Sequence, residues 1–239
     1  MWDNATKDIF LAVMYLLIPA AGMGKRMGSD RNKLLLKLLG KPILAWTLQG
    51  AEAAEWIGII GQEYDFADFQ EILKDLKLSV PVELIQGGDT RQESVYNGLQ
   101  ALPKSADKVL IHDGARCLAT PDLFNRCSQA LETCQGLIAA IPVKDTIKIV
   151  DGEGWIQDTP ERRNLWAAQT PQGFDVELLK DCHGRGRSVG WQVTDDAALL
   201  EKCQIPVKIV SGEETNLKVT TPVDLALAEF ILGQRLTLV

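Results

Sequence analysis

The stretch from Leu17 to Lys33 reads LIPAAGMGKRMGSDRNK and places a turn of small residues directly after an apolar run. Cations, among them Lys25, Arg26 and Lys33, follow that turn among small and polar residues. A glycine-rich turn after a strand exposes backbone N–H groups to a bound phosphate, and nearby cations neutralise the phosphate charge. The stretch therefore predicts a nucleotide triphosphate site at the end of the first strand.

Two common phosphate-binding loops do not fit this stretch. The dinucleotide fingerprint G-x-G-x-x-G needs a third glycine where the chain has Met27, and it needs an acidic residue after the next strand. The next predicted strand, 57–60, is followed by Gly61 and Gln62 and offers no carboxylate. No window supplies the P-loop pattern G-x-x-x-x-G-K-[ST]. A plain strand-to-helix turn is the alternative, and the clustered cations favour a bound anion because they need an anionic partner or solvent.

Length and composition indicate one globular domain. A chain of 239 residues is long enough for a well-buried core and is at the upper end for a single domain. Its apolar content of 46% and charged content of 24% are typical of a soluble protein without disordered regions. The net charge of -7 argues against a nucleic-acid partner, which a basic surface would indicate.

Cysteine usage and the N-terminal segment predict a cytoplasmic protein with no membrane partner. The five cysteines are scattered and lack C-x-x-C spacing, a pattern that predicts free thiols in a reducing compartment. The apolar run 9–18 lacks the basic segment of a secretory signal and is too short to span a bilayer. We therefore expect this run to form the buried first strand.

Predicted strands and helices alternate along most of the chain. Apolar runs predict further strands at 57–60, 82–86, 108–112, 137–142 and 207–210. Helical periodicity and capping signals predict helices at 42–48, 64–77, 92–102, 121–134, 174–182, 195–203 and 222–232. This alternation indicates a parallel sheet covered on both faces, in which ligands bind at the carboxyl ends of the strands. The polar loops after Ile18, Gln86 and His112 are therefore expected on one edge.

The alternation breaks between Val143 and Phe174. Residues 146–157 combine alternating and extended segments with the turn sequence DGEG, which predicts a β-hairpin with little capacity to bury itself. We interpret 143–169 as containing a protruding oligomerisation arm. The sequence TPQG at 170–173 is expected to turn the chain, and 184–190 is expected to be an exposed loop, with His183 in a loop as well. Thr194 is expected to cap the helix that follows.

Seven ordered segments together resemble the 2-C-methyl-D-erythritol 4-phosphate cytidylyltransferase family. The segments are IPAAGMGKRMGSDRNK, GGDTRQESVYNGL, IHDGAR, PVKDTIK, LWAAQTPQGF, VTDDAALLE and NLKVTTPVDLALAEF, and they cover the chain from residue 17 to about 233. The resemblance implies a Rossmann-like, mostly parallel sheet with helices on both faces, of the nucleotide-diphospho-sugar transferase type. It implies one nucleotidyltransferase domain over 1–239, with the arm in 143–169 joining two copies as a homodimer.

The resemblance also implies the reaction and the residues that bind CTP. CMP would pass from CTP to 2-C-methyl-D-erythritol 4-phosphate, giving 4-diphosphocytidyl-2-C-methyl-D-erythritol and pyrophosphate. Mg²⁺ would be held mainly by the CTP phosphates, with Asp113 as an outer-sphere contact and no dedicated metal ligands. The implied CTP-binding residues are Ala20, Ala21, Gly22, Gly24, Gly88, Asp89 and Ser94.

Two further sets of residues follow from the resemblance. The catalytic cations are Arg26, Lys33 and Lys218, which would match the charge that develops in the transition state. The residues that bind the polyol phosphate are Asp113, Arg116, Thr146, Arg162, Thr170 and Lys218. Thr146 and Arg162 lie on or beside the predicted hairpin, and the resemblance implies that they reach the active site of the neighbouring subunit.

Two departures and two alternatives accompany the resemblance. Cys117 after DGAR and Lys37 in LLLKLLGKP stand where proline is common in the family, which affects local loop stiffness and no catalytic position. A ribitol 5-phosphate cytidylyltransferase would share the CTP side and differ in the polyol pocket. A non-catalytic nucleotide-binding regulator is the alternative from another class, and the catalytic cations argue against it.

Overall fold

The structure is a computed structural model that describes residues 14–22 and 32–237. The described strands are β1 (Tyr15–Pro19), β2 (Lys37–Leu38), β3 (Lys41–Pro42), β4 (Trp56–Gly61), β5 (Val82–Gln86), β6 (Lys108–Ile111), β7 (Gly136–Pro142), β8 (Ile149–Val150), β9 (Ile156–Asp158), β10 (Trp166–Asp175) and β11 (Lys208–Ser211). The described helices are α1 (Ile43–Gly50), α2 (Phe66–Leu76), α3 (Arg91–Ala101), α4 (Pro121–Ala130), α5 (Val176–Val189), α6 (Ala197–Lys202) and α7 (Pro222–Thr237).

The central sheet has the strand order β11-β7-β10-β6-β1-β4-β5. β10 is antiparallel to both of its neighbours, and the remaining pairs are parallel. In β1, Leu16 and Ile18 pack into the core on one face of the sheet and Leu17 packs into the core on the other. Helices α1, α2, α4 and α7 cover the first face, and α3, α5 and α6 cover the second. The predicted mostly parallel sheet with helices on both faces is confirmed.

The TPQG segment does not turn the chain, and that prediction is wrong. Residues 170–173 lie inside β10, which runs antiparallel between β6 and β7. Its pairing with β7 shifts between Ala168 and Gln172, so that residues 169–171 stand against Ala139 alone. The proline and the polar residues therefore mark an irregularity within a central strand, where the ladder is already interrupted.

The stretch 184–190 belongs to a helix, so the predicted loop is wrong. α5 continues to Val189 and ends at Gly190, whose φ of 71° is the left-handed conformation common after a helix. Leu179, Cys182, His183 and Gly186 are its buried positions in this region, and their spacing is that of a helix face. The glycines and arginines of the stretch suggested a loop, whereas the buried periodicity determines the helix.

The remaining differences concern the ends of elements. α6 begins at Ala197, and the backbone N–H of Ala198 donates to Asp195 Oδ1 at 3.1 Å, so Asp195 takes the capping role expected of Thr194. α4 ends at Ala130, earlier than expected, and α7 extends to Thr237. The first strand begins at Tyr15, directly after Met14, and residues 9–13 of the predicted run lie outside the described residues.

The predicted hairpin is present as β8 and β9, which pair in antiparallel fashion. Its apolar side chains Ile149, Val150, Trp155 and Ile156 are between 50% and 69% exposed. The role of 143–169 in dimerisation and the single-domain interpretation of 1–239 stay predictions. No helix among the described residues is long and apolar enough to cross a membrane.

Candidate active site

A cleft of about 320 Å³ opens at the carboxyl ends of β1, β5 and β6. This is the edge at which open α/β sheets bind ligands. Its lining residues are Pro19, Ala20, Ala21, Gly22, Lys33, Leu34, Gln62, Gly88, Asp89, Thr90, Arg91, Ser94, Asp113, Gly114, Ala115 and Lys218. The three polar loops named from the sequence thus meet in one place.

Asn32 fixes the backbone on both sides of the segment 23–31. Its side-chain amide donates to the Ala20 carbonyl at 2.6 Å and to Asp65 Oδ2 at 2.8 Å, while its oxygen accepts from the Leu34 N–H at 3.0 Å. Asn32 and Asp65 are both buried. The described backbone on both sides of this segment is therefore held at the cleft. Gly24 and Arg26, which the sequence predicts for the site, lie outside the described residues.

Lys33 and Lys218 occupy the same part of the cleft. Lys33 Nζ donates to the carbonyl of Val219 at 3.0 Å, and Val219 directly follows Lys218. The Lys218 ammonium pairs with Asp113 Oδ2 at 2.9 Å. Two residues that are far apart in sequence thus bring two positive charges to one wall.

The start of α3 forms the opposite wall through a capping box. Thr90 Oγ1 accepts from the Glu93 N–H at 3.1 Å, and Glu93 Oε2 accepts from the N–H groups of Asp89 and Thr90. Ser94 Oγ accepts from the Gly88 N–H at 3.1 Å. These bonds hold the loop through its backbone N–H groups and do not use the carboxylate of Asp89, which is exposed at the cleft.

A Cβ at Gly88 would lie 2.4 Å from the Cβ of Glu93, so the loop can close against α3 only with glycine at this position. Gly88, Asp89 and Ser94 all line the cleft together with Ala20, Ala21 and Gly22. The structure therefore brings together the six described residues that the sequence analysis assigns to CTP.

Asp113 is the most strongly perturbed acidic group of the cleft. Burial opposes its ionisation, but the positive charges of Lys218, Arg91 and Arg116 outweigh burial and lower the pKa of Asp113 from 3.8 to about 2. The Arg116 Nε atom lies 3.5 Å from Asp113 Oδ2. Asp113 is therefore a carboxylate at neutral pH, and its partners fix its position.

Arg116 and Thr170 connect Asp113 to two other segments. Arg116 Nη1 donates to the Asn216 carbonyl at 2.7 Å, and the Asp113 N–H donates to Thr170 Oγ1 at 3.0 Å. The Asn216 amide in turn donates to the carbonyl of Thr170 at 2.8 Å. Asp113, Arg116, Thr170 and Lys218 are thus joined into one network beside the cleft.

Thr146 and Arg162 do not line the cleft of their own chain. Both are exposed, and they lie on the segment that carries the hairpin. Arg162 Nη1 donates to the carbonyl of Lys144 at 2.8 Å, across the base of that segment. Their proposed role therefore depends on a second copy of the chain.

Arg91 is a cleft residue that the sequence analysis did not assign. Its Nη2 atom lies 2.8 Å from Oδ2 of Asp196, which is fully buried. Burial opposes ionisation of Asp196, and the positive charge of Arg91 is the main factor that holds the pKa of Asp196 below 3.8. A signal was available, because a cation in the first turn of a helix opposes the helix dipole unless an anion pairs with it. Gln62, at the end of β4, was missed as well and carries no comparable signal.

Comparison with known proteins gives matches over most of the chain. The family model for 2-C-methyl-D-erythritol 4-phosphate cytidylyltransferase matches residues 14–234. A protein of that name from Crocosphaera subtropica (strain ATCC 51142 / BH68) is 76% identical over 227 residues, which cover 94% of this chain and 100% of the relative. Another from Synechocystis sp. (strain ATCC 27184 / PCC 6803 / Kazusa) is 71% identical over 225 residues, covering 93% and 98%.

Solved structures are similar over nearly the same extent. The 4-diphosphocytidyl-2C-methyl-D-erythritol synthase of Anaerococcus prevotii DSM 20548 has a TM-score of 0.82 at 31% identity and covers 92% of this chain and 98% of its own. The 2-C-methyl-D-erythritol 4-phosphate cytidylyltransferase of Thermus thermophilus has a TM-score of 0.77 at 33% identity, with coverages of 91% and 98%. The chain belongs to the 2-C-methyl-D-erythritol 4-phosphate cytidylyltransferase family.

Proposed function

We propose that the cleft at the carboxyl ends of β1, β5 and β6 is where this chain transfers CMP from CTP to 2-C-methyl-D-erythritol 4-phosphate. The reaction follows from membership of the family, and the residue roles are the proposal. The observation that carries it is the convergence of Lys33 and Lys218: Lys33 bonds the carbonyl next to Lys218, and Lys218 pairs with Asp113. A cleft with two such cations suits a reaction between two phosphate-bearing substrates.

The proposed CTP half of the site consists mainly of backbone groups. Ala20, Ala21, Gly22 and Gly24 would hold the base, the ribose and the phosphates through main-chain atoms, while Gly88, Asp89 and Ser94 would recognise the cytosine edge and the ribose. The capping box supports this assignment, because it fixes the loop around Asp89 before any ligand binds. A preformed loop of this kind reduces the conformational entropy that is lost on binding.

In the proposed reaction, a phosphate oxygen of the methylerythritol phosphate attacks the α-phosphorus of CTP. A new P–O bond forms, the bond from the α-phosphorus to the bridging oxygen breaks, and pyrophosphate leaves with the electron pair. No covalent nucleophile of the protein takes part, because the attacking group is already an anion. Arg26, Lys33 and Lys218 accelerate the step by aligning the phosphates and by matching the added negative charge.

The proposed polyol pocket is formed by Asp113, Arg116, Thr170 and Lys218. Asp113 is ionised at neutral pH and so accepts hydrogen bonds from substrate hydroxyl groups. The network that links it to Arg116 and Thr170 supports this role, because it holds the acceptor in one position. A fixed acceptor of this kind discriminates between polyols by the placement of their hydroxyl groups.

The proposed Mg²⁺ is carried by the substrate. Among residues 14–22 and 32–237, no group of three or more metal-binding side chains is brought together. Asp113, a carboxylate of the cleft, is already paired with Lys218. These residues fit an ion that the triphosphate would hold, with Asp113 as an outer-sphere contact. When bound, the ion would neutralise charge on the phosphates.

We further propose that the chain acts as a homodimer in the cytoplasm. The exposed apolar side chains of β8 and β9 support the dimer, because a two-stranded hairpin is marginally stable without a partner surface. Thr146 and Arg162 would then complete the polyol pocket of the other subunit. The five free cysteines support a reducing compartment.

Steady-state assays of pyrophosphate release with CTP and a panel of polyol phosphates test the proposed function. We expect strong preference for 2-C-methyl-D-erythritol 4-phosphate over ribitol 5-phosphate. Preference for ribitol 5-phosphate would favour the alternative cytidylyltransferase, whereas binding of CTP without any turnover would favour a regulatory protein.

A further inference from the structure

His112 is fully buried directly beneath the proposed polyol pocket. Its ring meets the ring of Phe124 in an edge-on arrangement, with 4.8 Å between centroids. Burial is the main factor that lowers the pKa of His112 from 6.5 to about 4. The imidazole is therefore neutral at physiological pH, with one nitrogen as donor and the other as acceptor.

The two partners of the ring decide which nitrogen carries the proton. Nε2 lies 3.1 Å from the carbonyl oxygen of Arg116, which can only accept. Nε2 therefore carries the hydrogen, and Nδ1 accepts from the hydroxyl of Thr170 at 3.0 Å. Because Thr170 Oγ1 also accepts from the Asp113 N–H, the hydrogen bonds run in one direction, from Asp113 through Thr170 and His112 to Arg116.

These hydrogen bonds hold the turn that carries Asp113 and Arg116, the two residues of this turn assigned above to the polyol phosphate. The N–H of Arg116 donates to the carbonyl of Asp113 at 2.9 Å, so residues 113–116 form a tight turn. The His112 ring holds the end of that turn directly, at the Arg116 carbonyl, and holds its start through Thr170. The His112 ring is fully buried, so a substrate does not reach it directly.

We propose that His112 is a positioning residue for the polyol phosphate, acting through the turn at 113–116 and never touching substrate. The inference rests on the proposed assignment of Asp113 and Arg116 to that substrate. Loss of the ring contacts should weaken the methylerythritol phosphate half of the site and leave the CTP half, built on β1 and α3, unchanged.

Two substitutions separate the two contacts. His112→Gln retains a donor near the position of Nε2, toward the Arg116 carbonyl, and loses the acceptor for Thr170. His112→Asn retains an acceptor near the position of Nδ1 and loses the donor. We expect each to raise KM for methylerythritol phosphate by about tenfold, the effect of one lost hydrogen bond. KM for CTP should stay within about twofold, which is less than the loss of one such bond produces. His112→Ala should show the largest rise in KM for methylerythritol phosphate.

Two controls distinguish positioning from loss of stability and from failure of the proposed function. Leu179→Ala removes a buried side chain on the opposite face of the sheet, so it should lower the melting temperature without changing either KM. Asp113→Asn should raise KM for methylerythritol phosphate. If Asp113→Asn leaves that KM unchanged, the proposed pocket is wrong; if it raises KM while the His112 variants do not, only the present inference is overturned.

A measurement on the unmodified protein keeps the inference testable if the His112 variants do not fold. Two-dimensional ¹H–¹⁵N spectra that correlate ring nitrogens with ring carbon-bound protons report the tautomer of each histidine. We expect a neutral ring protonated at Nε2 for His112 at pH 7. A ring protonated at Nδ1, or a doubly protonated ring, would contradict the hydrogen-bond direction from which the inference is drawn.

Discussion

Lys33 and Lys218 both bring positive charge to the cleft. Lys33 Nζ bonds the backbone carbonyl of Val219, and the Lys218 ammonium pairs with the carboxylate of Asp113. The position of Lys218 is therefore tied to an anion that itself belongs to the proposed polyol pocket. The two lysines are expected to differ accordingly, Lys33 in the chemical step and Lys218 also in the ionisation of Asp113.

Lys33→Ala should lower kcat by at least about a hundredfold, the loss typical of one charge contact in the transition state. The affinity for CTP should fall less, because the backbone groups of the cleft remain. Lys37→Ala is the matched control, since Lys37 is an exposed lysine four residues away. Steady-state kinetics and calorimetric titration with CTP measure both effects. An unchanged kcat would remove Lys33 from the mechanism.

Asp113 should make a contribution to stability that depends on pH. Its pKa is lowered from 3.8 to about 2, so the stabilisation is present above pH 3.8 and is lost as the pH falls through about 2. A shift of this size corresponds to a free energy on the order of 2 kcal/mol. Urea unfolding of the wild type and of Asp113→Asn at several pH values measures it. The advantage of the wild type should shrink from pH 5 to pH 2, and a constant difference would contradict the lowered pKa.

At the scale of elements, the start of α3 combines a helix cap with the proposed CTP loop. Thr90→Ala removes the hydroxyl that accepts from Glu93, so we expect a loss of about 1 kcal/mol in unfolding free energy. Because the same bonds fix residues 88–90, KM for CTP should rise more than KM for the polyol phosphate. Denaturant unfolding and steady-state kinetics on the same samples give the comparison.

The N-cap of α5 offers the control for this prediction. Asp175 accepts from the Leu178 N–H at 3.0 Å, on a helix whose N-terminus is remote from the cleft. Asp175→Ala should cost a similar free energy of unfolding and leave both KM values unchanged. If both variants change KM for CTP to the same extent, the effect reflects stability alone, and the loop at 88–90 has no separate role.

The elements that the sequence predicts well are those whose signals are local. β5 and α3 lie within one residue of their predicted bounds, because an apolar strand and a capping box need no distant partner. β10 and α5 were partly mispredicted for the opposite reason. The TPQG segment becomes a strand because β6 and β7 flank it, and the end of α5 becomes a helix because Gly186 packs against Leu199 of α6.

The residues of the site divide in the same way, into those with a local sequence signal and those that depend on distant contacts. Motif residues such as Lys33, Asp89 and Asp113 are read directly from the sequence, and the structure brings them to one cleft. Arg91 was missed because its significance lies in Asp196, about a hundred residues away in sequence and fully buried beside it. The direction of the hydrogen bonds at His112 likewise depends on contacts that no spacing rule contains.

At the scale of the whole molecule, the hairpin is a place where the described part of a single chain leaves neighbouring apolar side chains exposed. Its exposed apolar side chains include Trp155 at 69% and Ile156 at 61%. Contiguous exposure of this kind is typical of protein–protein contacts. We therefore expect sedimentation velocity to show a dimer for the full chain, and Trp155→Asp with Ile156→Asp to shift it toward monomer. A monomeric wild type would remove the arm from the proposed function.

If the arm completes the other subunit's pocket, Arg162→Ala should raise KM for the polyol phosphate without lowering the melting temperature. Arg162 is exposed, and among the described residues its side chain bonds only the Lys144 carbonyl, across the base of the arm. The adjacent Arg163→Ala is the control, since Arg163 is exposed and pairs with Glu161 alone among the described residues. Kinetics and thermal unfolding on the same variants separate the two effects. Equal changes in KM for both variants would indicate a general charge effect.

Mixed dimers decide whether Arg162 acts within its own chain or across the dimer. A dimer of one Lys33→Ala chain and one Arg162→Ala chain holds one intact site if Arg162 acts across, because the first chain supplies Arg162 to the site that retains Lys33. If Arg162 acts within its own chain, each site lacks one residue and activity stays at the level of the single variants. Co-expression with two affinity tags isolates the mixed species for assay. Recovery of activity is the expected result, since Arg162 points to no cleft residue of its own chain among those that the structure describes.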